Sequence, residues 1–167
     1  AVTDALAGLL VAHGGTIHTG VRVDDLRELG GADVTMLDTT PAAARQLLGD
    51  ALPGHVERAY RRFRHGTGVF KVDLAVRGGI PWSNDDCRRA VTVHVGGTVD
   101  EIAAAEADVC RGKMTRRPFV LVGQQYLADP GRSVGDLHPV WAYAHVPSGH
   151  RGDATEAMLA QIERFAP

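Results

Sequence analysis

Hydrophobic and polar positions follow two different periods along this chain. Residues 1–13, AVTDALAGLLVAH, place Leu6, Leu9 and Leu10 at helical spacing, and Gly14-Gly15 follows as a stop. TIHTGVRV (16–23) is β-rich, with Ile17, Thr19, Val21 and Val23 on one face, and ADVTMLDT (32–39) predicts a second strand. Thr40 and Pro41 predict an N-capped helix that runs through AAARQLLG and ends near Gly49. PGHVERAYRRF predicts a further helix with proline near its start.

From residue 68 onward the texture changes to strict alternation. GVFKVDLAV (68–76), VTVHV (91–95), PFVLVGQQ (118–125) and VWAYAHV (140–146) each predict a strand. Between the second and third, GGTVDEIAAAEADVCRG predicts a helix. Thr98 caps it, Glu101 completes a capping box and Gly112 closes it. A last helix begins near Asp153, with Glu156 three residues on, and continues through AMLAQIERFAP. The intervening loops, 77–90 and 126–139, are polar and rich in Gly, Pro, Asp and Ser. The sum is an α+β chain with a largely antiparallel sheet and helices packed on one face; a ferredoxin-like sandwich is the alternative arrangement.

Strand parity separates two faces. Phe70, Val72, Leu74 and Val76 share one, Lys71, Asp73 and Ala75 the other. In 91–95 the valines stand opposite Thr92 and His94, and in 140–146 Val140, Ala142, Ala144 and Val146 alternate with Trp141, Tyr143 and His145. The aliphatic faces suit a packed helix. The second face, with Lys71, His94, Trp141, Tyr143 and His145, is too aromatic for an ordinary wet surface, and reads as either a ligand wall or a domain or dimer interface.

Composition narrows the classes. The 167 residues are 44% hydrophobic and 23% charged, with a formal net charge of −2, which gives no electrostatic reason to expect nucleic acid. In ERAYRRFRHG (57–66), Arg58, Arg61 and Arg62 form a solvated helix face. No apolar run approaches the ~20 residues that span a bilayer, no signal-peptide pattern opens the chain, and nothing in the pattern supports a peripheral membrane contact. Cys87 and Cys110 form no CxxC, so a reducing cytoplasm is the expected compartment, with Cys110 a buried structural thiol. A chain that opens on Ala is expected to be processed or excised from something longer.

Candidate chemistry is sparse. The eight histidines show no HxH, HxxxH or HExxH spacing, so no metal site is expected. No GxSxG nucleophile and no GxxxxGK[ST] phosphate loop occurs. In HGGTIHTGVRVDDL (13–26) the order is helix, Gly-Gly, strand, which points the amides away from a dinucleotide, so a helix cap is the expected role. HVGGTVDEI (94–102) has the right order but lacks a third glycine and carries carboxylates in the first helical turn, where they repel phosphate.

Several segments in order carry a resemblance: GGTIHTGVRVDDL, ADVTMLDTTPAAARQLLGDALP, FKVDLAVRGGIPW, VHVGGTVDEIAAAE, PFVLVGQQYLADPGRS, WAYAHVPSG and QIERFAP. Together they resemble the middle portion of phytoene-dehydrogenase-like FAD-dependent oxidoreductases, the group that includes carotenoid desaturases and retinol-saturase-like proteins. The resemblance implies an internal fragment. Residues 1–50 would be an edge piece of the FAD-binding domain and residues 51–167 the substrate-binding domain, with the textural boundary at 50–66. It implies FAD as cofactor of the parent protein but not bound tightly by this fragment, and a backbone contact from Val23 to the adenine. It implies a lipophilic, isoprenoid- or carotenoid-like substrate on the wall of Lys71, His94, Trp141, Tyr143 and His145. The missing FAD-binding domain would be the partner, the fragment alone inactive, and no catalytic side chain is assigned. The alternative is a self-contained, non-enzymatic α+β module that uses the aromatic face for a ligand or a homodimer. A third reading is a small catalytic domain with His94 or His145 as general base.

Overall fold

A computed structural model describes residues 1–167. The chain divides into two compact units, Ala1–Arg64 and His65–Pro167.

The first unit is helical and barely cored. Helix α1 (Val2–Ala12) ends at the glycine pair: Gly14 adopts φ +83°, and the Gly15 amide donates to the Leu10 carbonyl at 2.9 Å. No residue of α1 is buried, and Leu6, Leu9 and Leu10 remain 62%, 56% and 48% exposed. Helix α2 (Pro41–Leu48) starts where expected, with the Thr40 hydroxyl accepting from the Ala43 amide, and stops at Gly49. Helix α3 (Gly54–Arg61) is tied to α2 by an Arg45–Glu57 ion pair at 3.2 Å. Arg58, Arg61 and Arg62 are solvent-exposed. Ala44 is the single buried residue of the unit.

The expected strands 16–23 and 32–39 do not form. Neither segment enters a ladder, and Ile17, Val21, Val34 and Met36 stand 49%, 66%, 76% and 90% exposed. β-propensity expresses itself only against a neighbouring strand, and here there is none.

The second unit holds the sheet. Strands β1 (Gly68–Arg77), β2 (Thr92–Val95), β3 (Val120–Gly123) and β4 (Leu137–Val146) pair antiparallel throughout, in the order β1-β4-β3-β2. The fold is α+β. Helix α4 (Asp85–Arg89) lies in the β1–β2 connection, α5 (Val99–Cys110) joins β2 to β3, and α6 (Thr155–Glu163) follows β4.

Register aligns the apolar inner-face residues across all four strands. Val72, Ala142, Val122 and Val93 form one row, and Phe70, Ala144, Val120 and Val95 the next. Met158 and Ile162 of α6 pack on these rows with Ala154 and Ala166. Val120, Val122 and Ala142 are fully buried, and each buried valine contributes roughly 1.5–3 kcal/mol. Helix contacts are not confined to this side, because Glu106 of α5 reaches His145 on the opposite face. On α5 the buried residues are Ala105 and Val109. Cys110 lies one position, about 100° of helix turn, beyond Val109. It is exposed rather than buried, which corrects the expectation of a structural thiol.

The long connection 77–90 is less polar in effect than in composition. Ile80 and Trp82 turn inward, and Trp82 is 1% exposed. The fully buried Gln124, just past β3, holds this connection. Its Oε1 accepts from the Trp82 indole at 3.0 Å, and its Nε2 donates to the Cys87 and Ala90 carbonyls at 2.8 and 2.7 Å. Replacing Gln124 by Leu would strand an indole N–H and two carbonyls, each costing about 1–3 kcal/mol when buried without a partner. We predict that Gln124→Leu lowers unfolding free energy by about 3 kcal/mol or more. Gln124→Glu, which keeps the acceptor but loses both donors, should be no milder; urea midpoints measure both.

Candidate functional site

The five residues expected on the aromatic face do share it. Lys71, Tyr143, Leu121 and His94 lie in one cross-strand row, and Asp73, Trp141, Gly123 and Thr92 in the neighbouring one. Trp141 and Tyr143 stack with ring centroids 5.9 Å apart and planes 4° from parallel. Tyr143 and His145 meet at 6.4 Å, tilted by 50°. Glycine at position 123 is what lets the ladder lie down, because a β-carbon there would collide with the Trp141 indole. The result is a ledge of half-buried rings on β4, flanked by the short strand β3.

Each end of the ledge is polar. His145 Nδ1 lies 2.7 Å from Glu106 Oε2, with the two side chains 39% and 32% exposed. This bond fixes the imidazole, leaving Nε2 as its remaining ring nitrogen. At the β1 edge Lys71 is ion-paired with Asp73, and both are exposed. His94 is exposed and lies against Phe119, 5.5 Å between centroids.

His94 also borders a separate cavity of about 520 Å³ along the free side of β2. Its walls are Trp82, Phe119, Phe165, Ile102 and Val95, with Arg164 and Cys87 among its polar members. Trp141, Tyr143, His145 and Lys71 do not line it, so the expected wall and this cavity are distinct features. Sequence reasoning missed these lining residues. The available signal was GIPW, an apolar insertion in an otherwise polar loop.

The backbone amides at the strand–Gly-Gly–helix turn 94–102 are closed to a phosphate by the chain itself. Glu101 Oε2 accepts from the Thr98 amide at 2.9 Å, while Oε1 pairs with Arg117 and Arg164, each at 3.2 Å. A β-carbon at Gly97 would strike this carboxylate. Glu101 therefore occupies the place that a phosphate would take at the N-terminus of α5.

Val23 is half-buried in the first unit and borders a cavity of about 310 Å³ with Val21, Leu26, Leu29, Met36 and Leu47. This pocket is apolar enough for a flat ring. A dinucleotide also needs amides aimed at its pyrophosphate. Here Gly14-Gly15 closes a helix C-terminus, and the N-termini of α2 and α5 are filled by Thr40 and Glu101. The lining of the Val23 pocket holds no glycine turn leading into a helix N-terminus, so these residues do not fit the pyrophosphate of an FAD. No three His, Cys, Asp or Glu side chains converge into a metal-holding group. No helix is long and apolar enough to cross a membrane.

Compared with known proteins, the chain matches no family model, no curated protein and no solved structure.

The Thr98 amide, and after it the Arg164 guanidinium, hold the Glu101 carboxyl below its ordinary range. A lowered carboxyl contributes stability above the unfolded-state value, and that contribution disappears as pH falls through the folded-state value. Glu101→Gln should therefore lower the melting temperature at pH 7, and the gap to the parent should close as the pH is lowered past the usual carboxylate range. A thermal-melt series against pH measures this.

Proposed function

We propose that this chain is the substrate-binding region, with an edge piece of the cofactor domain, of a longer FAD-dependent oxidoreductase resembling the phytoene-dehydrogenase-like family. The substrate would be lipophilic, of isoprenoid or carotenoid type. One observation carries the reading most. The segments 16–23 and 32–39 have strand-forming sequences, no strand partner, and exposed β-branched and Met side chains. Such edges are ordinarily paired or covered, and a cofactor-domain sheet would supply the missing neighbours.

The half-buried Trp141, Tyr143 and His145 ledge adds to this reading, since an apolar polyene lies well along stacked rings. In such proteins the flavin carries the redox chemistry and the protein supplies orientation and a dry wall. The fragment would take part by binding and orienting substrate, and would neither hold FAD nor turn over alone. Its compartment would be the cytoplasm, in keeping with two free cysteines.

A second reading has its own support. The unit His65–Pro167 has a buried apolar core of its own, so it could act as a self-contained binding or dimerisation module through the same ledge.

Flavin titration of the full chain tests the proposal. We expect no saturable FAD binding in the micromolar range and no reductase activity with artificial electron acceptors. Stoichiometric sub-micromolar binding would overturn the fragment reading. Sedimentation of the same sample addresses the second: a dimer lost in Trp141→Ala, with the sheet unit still folded, would favour the module.

A further inference from the structure

The cavity along the free side of β2 has features that the aromatic ledge does not account for. Its volume, about 520 Å³, lies in the range of small-molecule sites. Trp82, Phe119, Ile102 and Phe165 give it an apolar body, and Arg164 stands at its border. The guanidinium donates from Nη1 to the Gln161 oxygen at 2.9 Å and from Nη2 to Glu101 at 3.2 Å, and lies 5.4 Å from the Phe165 ring centre. An arginine carries five N–H donors, so these two bonds leave others unused.

The charge balance around it is unequal. Glu101 is the shared carboxylate of two arginines, Arg117 and Arg164, so the cluster keeps one positive charge in excess. The same carboxylate already accepts from the Thr98 amide. The cavity thus joins an apolar chamber to an under-neutralised guanidinium fork, whose planar geometry matches a carboxylate.

We infer that this cavity binds a small amphipathic carboxylate, with the apolar part between Trp82, Phe119 and Phe165 and the carboxylate on Arg164. The site shares only His94 with the substrate wall proposed above, and does not depend on the chain being part of a flavoprotein. Cys87, half-buried in the cavity lining, provides a reporter inside it, and Cys110, exposed at the end of α5, provides one outside.

The test uses the full chain, decanoate and its uncharged analogue decanol. Calorimetric titration should give saturable binding of decanoate, about tenfold tighter than decanol, as expected for one charge-assisted hydrogen-bonded contact. Decanoate should slow alkylation of Cys87 by iodoacetamide and leave Cys110 unchanged. Arg164→Gln should reduce decanoate to the level of decanol, while Arg132→Gln, at a residue paired with Asp129 and outside the cavity lining and the Glu101 cluster, should keep the preference. The comparison of the two ligands on the unaltered chain stands even if Arg164→Gln fails to fold. Equal affinity for decanol, no binding at millimolar decanoate, or binding without protection of Cys87 would each overturn the inference.

Discussion

One buried amide organises the second unit. Gln124 stands at the end of β3 with no solvent contact and makes three side-chain hydrogen bonds to the segment 82–90. A carboxamide offers one acceptor group and two N–H donors, and all are used here. Buried polar groups satisfied in this way admit few competing arrangements. The connection between the two edge strands is therefore pinned across the end of the sheet. The cavity beside β2 follows from it, because Trp82 and Cys87 form part of its lining only while that connection stays in place. The far side is fixed by the Ser83 amide, which donates to the Phe165 carbonyl at 2.9 Å.

The sheet divides its labour by parity. Small aliphatic residues in register make a flat inner face on which α6 lies, and they leave no polar atom to satisfy. The other face carries rings at every second position of β4, with glycine on β3 making room for the largest. The same alternation thus builds a core on one side and a ledge on the other. The first unit has no such division. Its apolar residues are mostly outward, and one alanine is buried. A unit this poor in core gains little from its own burial against the entropy of ordering the chain.

What the sequence discloses tracks how local each cause is. The four strands of the second unit are legible because alternation and burial coincide, and Thr98 with Glu101 marks the start of α5 by chemistry within four residues. The shared face of Lys71, His94, Trp141, Tyr143 and His145 is legible for the same reason, since parity survives in strands without bulges. Segments 16–23 and 32–39 mislead because strand formation is a property of pairs, and the pattern of one member does not disclose whether the other exists. The β2 cavity is hidden because its lining comes from residues 82–87, 93–97, 102, 119 and 164–165, which no local spacing connects.

The central claim is that the sheet unit carries its own core while segments 16–23 and 32–39 have no strand partner. Residue-resolved hydrogen–deuterium exchange tests it most directly, since protection reports which amides open only on global unfolding. The account predicts that Val120, Val122, Ala142 and Ala144 exchange only through global unfolding of the sheet unit. The amides of residues 16–23 and 32–39 should exchange close to unprotected rates. Protection of those two segments equal to that of the sheet would contradict it.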